Sequence, residues 1–265
     1  MSNLNQNLPE SLKPNLEKKK QLLGMPEHLT YKQVEDIYHQ KVSGRFLGDI
    51  IFGANDGLVT TFAVVAGAVG AQLSSTVIII VGFANLLADG LSMGLGNYLG
   101  KKSELSYQIS QRQKEKWEIK NFPEIEKHEI KAVFQRWGFQ GNDLERAVDI
   151  ITNNREAWID IMMTEELGIV EDKDTQPKQH GLITFLSFAI AAFIPLIPYL
   201  IGLEGWAAFY ISVTMTAITL FFVGAFRCRL SVIKFWKGGV EMLIIGGIAS
   251  SAAYFIGDIL KRILD

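Results

Sequence analysis

Five long stretches of this sequence carry almost no charged residues, and this pattern most restricts what the chain can fold into. A helix that crosses a bilayer needs about 20 mostly apolar residues, at a rise of about 1.5 Å per residue. Two buried helices of a large soluble protein would also explain residues 47–100, but five such stretches in 265 residues favour a membrane protein. The sequence predicts an all-α polytopic fold with five transmembrane helices, at residues 47–70, 75–99, 181–201, 206–226 and 239–259.

The charged residues lie before and between these apolar segments. Residues 1–45 and 101–180 are polar, although 48% of the chain is hydrophobic. Such blocks are typical of membrane spans with soluble insertions. We therefore expect a cytosolic N-terminal segment, spans one and two, a cytosolic helical insertion and spans three to five, at residues 1–45, 46–100, 101–180 and 181–265.

Net charge and cysteine content restrict the function and the architecture of the chain. The formal net charge is −2, which argues against a nucleic-acid partner because such a partner requires a basic face. The single cysteine, Cys228, excludes an intramolecular disulfide framework and a cysteine-rich zinc site.

The distribution of basic residues predicts the orientation in the membrane. The connections between spans one and two and between spans three and four carry no lysine or arginine, whereas the insertion begins with Lys101 and Lys102. The connection between spans four and five contains four basic residues, Arg227, Arg229, Lys234 and Lys237. Cytoplasmic loops are enriched in such residues, so the N-terminus, the insertion and this last connection are expected in the cytosol. Lys261 and Arg262 near the external C-terminus oppose this assignment mildly.

Polar residues inside the first two spans predict a cation site. Asp49 and Asp56 are seven residues apart and therefore lie on one face of the first span. In the second span, Asn85, Asp89 and Met93 form a stripe with a spacing of four residues. Carboxylate and amide oxygens together with a thioether would bind a divalent cation, and the soft sulfur favours a late transition metal. Ionisable groups within a span are costly and survive mainly along substrate or proton paths.

Each of these residues also has a structural interpretation. Asp49 could lie at the cytosolic interface, and Asp56 could cap a helix break beside Gly57. Asp89 could have a structural role beside Gly90, and Met93 could be a packing residue.

The insertion predicts a second, carboxylate-rich site. We expect three helices there, at residues 103–120, 123–137 and 142–167. Glutamate pairs with a spacing of three residues on adjacent helices can present several carboxylates to one space, as in di-iron carboxylate bundles. Interleaved lysines favour the alternative of a solvated helical surface. The candidate metal ligands are Glu115, Glu118, Glu126, Glu129, Met162, Met163, Glu165 and Glu166.

The segments GDIIFGANDGLVTTFAVVAGAVG and ANLLADGLSMGLGNYLGKKSE resemble the vacuolar iron transporter family. The resemblance covers about residues 45–260. It implies a five-span, dimeric exchanger of Fe²⁺ for protons, with a cytosolic metal-binding domain inserted between spans two and three.

Position by position, the resemblance implies roles for most of these candidates. Asp49 and Asp56 match the first-span aspartates of the family, and Met93 matches the second-span methionine. One departure is that Asn85 stands where plant-like and protist-like members carry a glutamate. The carboxylate appears one turn later, at Asp89, which the resemblance links with prokaryotic-type members. In the insertion, the family's metal-binding residues match Glu115, Glu118, Glu126, Glu129, Glu166, Met162 and Met163.

The expected function is therefore transport rather than catalysis by an enzyme. We expect a homodimer that exports Fe²⁺, and also Mn²⁺, Co²⁺ or Zn²⁺, from the cytosol by proton antiport, for iron detoxification or storage. Its membrane would be the cell (inner) membrane, or the vacuolar membrane in a eukaryote. The alternatives are a membrane-anchored iron-binding or ferroxidase protein and a passive divalent-cation channel.

Overall fold

The computed structural model describes residues 45–171, 175–228 and 235–264, and every regular element in these ranges is an α-helix. The predicted N-terminal segment up to residue 44 lies outside the described residues, as do Arg229 and Lys234 of the basic connection. The helices are α1 (Leu47–Gly70), α2 (Ser75–Asn121), α3 (Pro123–Arg136), α4 (Gly141–Thr152), α5 (Arg155–Glu165), α6 (Pro177–Leu200), α7 (Gly205–Cys228) and α8 (Phe235–Leu264).

The five predicted spans are confirmed. Helices α1, α2, α6, α7 and α8 are each long and apolar enough to cross a membrane. Their outward surfaces carry many exposed large hydrophobic side chains, such as Ile80, Phe222 and Ile248. Because exposed apolar surface of this extent is unfavourable in water, it indicates that lipid surrounds these helices.

The chain divides into two units. Of the described residues, those up to residue 97 and those from residue 178 onwards form the first unit, which contains α1, the first part of α2, and α6 to α8. Residues 98–177 form the second unit, which contains the last part of α2 and helices α3 to α5.

Glycines allow the helices of the first unit to approach one another closely. A Cβ added at Gly57 of α1 would lie 2.4 Å from the carbonyl oxygen of Phe188 in α6. A Cβ added at Gly224 of α7 would lie 2.3 Å from the carbonyl oxygen of Gly238 in α8. Small residues are favoured at such contacts because they bring helix backbones together in a membrane.

The second unit corrects two predicted helix boundaries. The helix expected to begin at residue 103 is continuous with the second span, so that α2 is 47 residues long. The single helix expected over 142–167 is two helices, α4 and α5. The side chain of Asn154 accepts a hydrogen bond from the backbone N–H of Ala157 and thereby caps α5, which favours a new helix start at this point.

Candidate functional site

Three glutamates of the second unit converge on one point. Glu115 lies in the last part of α2, Glu126 lies in the first turn of α3, and Glu166 is the residue that follows α5. One carboxylate oxygen from each lies within 4.8 Å of the others, a spacing that allows all three to bind one metal ion. Two of these residues lie in different helices and the third follows another helix, so the packing of the unit brings them together.

Two of these carboxylates are buried without a protein partner. Glu115 is 1% exposed and Glu126 is 5% exposed. Both carboxylate oxygens of Glu115, and Oε2 of Glu126, have no hydrogen-bond partner among the residues that the structure describes. Buried polar groups are normally paired because an unpaired one costs free energy. A bound cation would take these oxygens as ligands, whereas a proton on each carboxyl group would remove only the buried charge.

The same burial raises the pKa values of the cluster. Burial, followed by the charges of Glu166 and Glu118, raises the pKa of Glu115 from 4.5 to about 7. Burial, followed by the charge of Glu129, raises the pKa of Glu126 to about 7. The pKa of Glu166 is also raised, first by burial and then by the charge of Glu129. The carboxylates therefore repel one another, and at neutral pH protons compete with any metal ion for them.

The other predicted ligands of the insertion have different surroundings. Glu118 forms an ion pair with Lys114, with 3.2 Å between Oε2 and Nζ. Glu129 is near enough for its charge to raise the pKa of Glu126. Glu165 is paired with Arg136 on α3 instead of joining the three converging carboxylates.

Met162 and Met163 belong to the hydrophobic core of the second unit. Both are almost completely buried, in a cluster that includes Ile130, Phe134 and Ile159. This packing accounts for both residues, and it places their thioethers on the helix that leads to Glu166.

Arg112 is a residue of this unit that the sequence did not single out. Its guanidinium contacts Asp160 and Glu156 at 2.6 Å and Glu171 at 2.9 Å. These ion pairs hold α5 and the segment after it against α2, one turn before Glu115. Ion pairs between distant parts of a chain leave no spacing signal in the sequence.

The predicted residues of the first two spans fall into separate environments. Asp56 and Asp89 are near enough for their charges to interact. The side-chain nitrogen of Asn85 is buried, without a hydrogen-bond partner in the described part of the chain. Met93 packs against the buried cluster that contains Phe188, as expected for a packing residue.

Asp49 belongs to a hydrogen-bonded group at the start of α1. Its Oδ1 accepts a hydrogen bond from Nδ2 of Asn97 at 2.7 Å, and its Oδ2 lies 2.6 Å from Nδ1 of His180. Asn97 continues the stripe of Asn85, Asp89 and Met93 by one more turn, so the sequence contained a signal for it. His180 lies in the first turn of α6. It had no such signal, because it stands just before the predicted third span and belongs to no spacing pattern.

The sequence matches the profile of the VIT family over residues 47–258. The chain belongs to the VIT family. A vacuolar iron transporter of Toxoplasma gondii is 33% identical over 235 residues, which cover 85% of this chain and 78% of that protein. Vacuolar iron transporter 1 of Arabidopsis thaliana is 32% identical over 220 residues, which cover 83% of this chain and 88% of that protein.

A vacuolar iron transporter of Plasmodium berghei is 34% identical, over 84% of this chain and 85% of that protein. VIT family membership confirms the predicted resemblance and makes this chain a multi-pass membrane transporter rather than an enzyme. Its assignment to the prokaryotic-type members stays a prediction.

Proposed function

We propose that this chain exports Fe²⁺ from the cytosol in exchange for protons, and that the cluster of Glu115, Glu126 and Glu166 binds the ion before transport. The observation that carries the proposal is the convergence of three carboxylates that are far apart in the sequence. Two of them are buried, and both oxygens of Glu115 and Oε2 of Glu126 lack protein partners within the described residues. A divalent cation would satisfy these oxygens and neutralise their mutual repulsion. The names of the relatives make iron the first ion to test.

The membrane pathway that we propose runs along the first two spans. Asp56 and Asp89 are its charged centre because their carboxylates interact within an apolar unit. Asn85, Met93 and Asp49 complete the set that the sequence predicted. Metal ligands must be deprotonated, so a proton that arrives at Asp56 or Asp89 would weaken metal binding and release the ion. This competition is the physical basis of the proposed proton antiport.

Several finer features belong to the same proposal. The resemblance to the family supports a homodimer. The basic residues support a cytosolic position for the N-terminus and for residues 101–180. Mn²⁺, Co²⁺ and Zn²⁺ are further candidate substrates. At a given oxygen and sulfur site, Co²⁺ and Zn²⁺ bind more tightly than Fe²⁺, and Mn²⁺ is next below it in affinity.

Transport of Fe²⁺ into proteoliposomes with a pH-sensitive dye inside tests the proposal. We expect uptake to be faster with a proton gradient in the opposite direction, and to be lost in Asp56→Asn. Glu126→Gln should raise the Fe²⁺ concentration needed for half-maximal uptake. Glu124→Gln, on the exposed face of the same helix, is the matched control and should behave as the wild type.

Each competing function predicts a different result in this assay. Uptake that ignores the proton gradient would indicate a passive channel. Oxidation of Fe²⁺ in the presence of O₂, with no uptake, would indicate a membrane-anchored ferroxidase.

A further inference from the structure

His180 is a buried histidine that no part of the proposed transport mechanism uses. It lies in the first turn of α6, with 7% of its side chain exposed, and its Nδ1 lies 2.6 Å from Oδ2 of Asp49. The side chain of Asp49 is 12% exposed. Because an ionised carboxylate can only accept hydrogen bonds, this contact requires the hydrogen on Nδ1 of His180.

The second oxygen of Asp49 is also occupied. Nδ2 of Asn97 lies 2.7 Å from Oδ1 of Asp49 and 2.7 Å from Oγ1 of Thr184. The hydroxyl of Thr184 donates to the carbonyl oxygen of His180 at 2.9 Å. The carboxylate is therefore held by α2 on one oxygen and by α6 on the other.

The helix backbones around this group are closely packed. A Cβ added at Gly53, one turn after Asp49, would lie 2.6 Å from the carbonyl oxygen of Thr184. A Cβ added at Gly94 would lie 2.9 Å from the carbonyl oxygen of Gly181. Helices α1 and α2 thus both touch α6 within about one turn of the hydrogen bonds.

We propose that His180 is a positioning residue: its Nδ1–H fixes the carboxylate of Asp49 in one orientation at the start of the first span. Both oxygens of Asp49 already accept hydrogen bonds, so Asp49 acts on the transported cation by electrostatic attraction from a fixed position and not as a direct ligand. The effect on transport rests on the proposed function, whereas the contact between His180 and Asp49 does not.

Replacement of His180 separates a positioning role from a purely structural one. In His180→Leu the carboxylate loses one of its two donors and can turn away from the pathway. A hydrogen bond to a charged group is strong enough that we expect the KM for Fe²⁺ to rise by about fivefold, with the maximal rate per folded protein unchanged. A purely structural role would lower the maximal rate and leave KM unchanged, and that result would overturn the proposal.

Two amide variants make the test specific to one atom. The amide nitrogen of asparagine is as many bonds from the backbone as Nδ1 of histidine, whereas that of glutamine corresponds to Nε2. His180→Asn should therefore restore KM to within about twofold of the wild type, and His180→Gln should resemble His180→Leu. Equal KM values for the two amide variants would contradict the proposal. Gln179→Leu, at the exposed neighbouring position, is the control and should keep the wild-type KM.

A double-mutant cycle tests the contact without any transport. We would measure the thermal unfolding of the detergent-solubilised full chain for His180→Leu, Asp49→Asn and the double variant. If His180 holds Asp49, the two single effects are not additive. Additive effects would overturn the proposal even if the wild type transports iron. If the wild type does not transport Fe²⁺ but the two effects on unfolding are not additive, the proposed function is refuted and the contact between His180 and Asp49 is supported.

Discussion

Replacement of Glu115 by glutamine should stabilise the metal-free second unit while it weakens metal binding. Burial and neighbouring carboxylates raise the pKa of Glu115 to about 7, against an ordinary value of 4.5. One pKa unit corresponds to about 1.4 kcal/mol, so keeping Glu115 ionised in the folded unit costs about 3 kcal/mol. Glutamine has a similar shape and no charge, and it therefore avoids this cost.

The pH dependence gives the sign of the effect. The pKa of Glu115 is higher in the folded state than in the unfolded state, so the folded state binds more protons between about pH 4.5 and pH 7. The free energy of unfolding of the wild type should therefore decrease as the pH rises through this window. We expect Glu115→Gln to be more stable than the wild type by about 2–3 kcal/mol at pH 8, and to differ by less than about 1 kcal/mol at pH 4.5.

Metal ions should largely cancel this difference. A ligand at one hundred times its Kd stabilises the folded state by about 3 kcal/mol. The wild type should gain this stabilisation with Mn²⁺, used in place of oxidation-sensitive Fe²⁺. Glu115→Gln should gain much less, because one of three carboxylates is gone and a neutral amide is a weaker ligand for a divalent ion.

Hydrogen–deuterium exchange of the full chain in detergent measures the stability of the second unit separately from the rest of the chain. The free energy of opening is obtained from peptides within residues 98–177, with EDTA and with Mn²⁺, at several pH values and after correction for intrinsic exchange. Glu124→Gln, which removes an exposed carboxylate of α3, should show neither effect. Our reasoning would be refuted if Glu115→Gln were less stable than the wild type at pH 8 in EDTA, or if Mn²⁺ protected both proteins equally.

Three further predictions address other parts of the chain. Arg112→Leu removes three ion pairs that hold α5 and the segment after it against α2. It should lower the affinity for Mn²⁺ by about tenfold in calorimetric titrations, whereas unchanged affinity would show that α5 is held by its apolar core alone. Gly57→Ala should lower the free energy of unfolding by about 1–3 kcal/mol in thermal denaturation, because its Cβ would lie 2.4 Å from a backbone oxygen. Gly247→Ala is the control and should have little effect, because a Cβ there meets open space. Asp89→Asn should make Fe²⁺ uptake insensitive to an imposed pH gradient, and retained sensitivity would place the coupling proton elsewhere.

The length of the apolar segments was sufficient to predict the five spans, whereas the ends of the soluble helices depended on weaker signals. Lys101 and Lys102 suggested a break after the second span, yet residues 101–121 contain no glycine or proline and consist largely of good helix formers. Nothing therefore stops α2 before Asn121. The break between α4 and α5 had a signal, because Asn153 and Asn154 are residue types that favour helix caps over helix interiors.

The carboxylate cluster was only partly predictable for a different reason. Helical spacing places residues on faces, but it does not determine which faces of different helices meet. Glu115 and Glu118 are separated by less than one turn on α2, and only Glu115 is among the three converging carboxylates. Likewise Glu165 turns to Arg136 while its neighbour Glu166 joins the cluster. These choices follow from the packing of α3 and α5, which the sequence does not encode in any local pattern.

The register between the first two spans brings the aspartates of the first span next to the polar stripe of the second span. Asn97 of α2 donates a hydrogen bond to Asp49 of α1. Because α1 and α2 are antiparallel, a later residue of α1 lies level with an earlier residue of α2. Asp56, seven residues after Asp49, therefore lies level with Asp89, eight residues before Asn97. The interaction between the charges of Asp56 and Asp89 agrees with this register. A shift by one helical turn would instead place Met93 beside Asp49 and remove the carboxylate opposite Asp56. The hydrogen bond from Asn97 to Asp49 therefore contributes to the register that pairs these two aspartates.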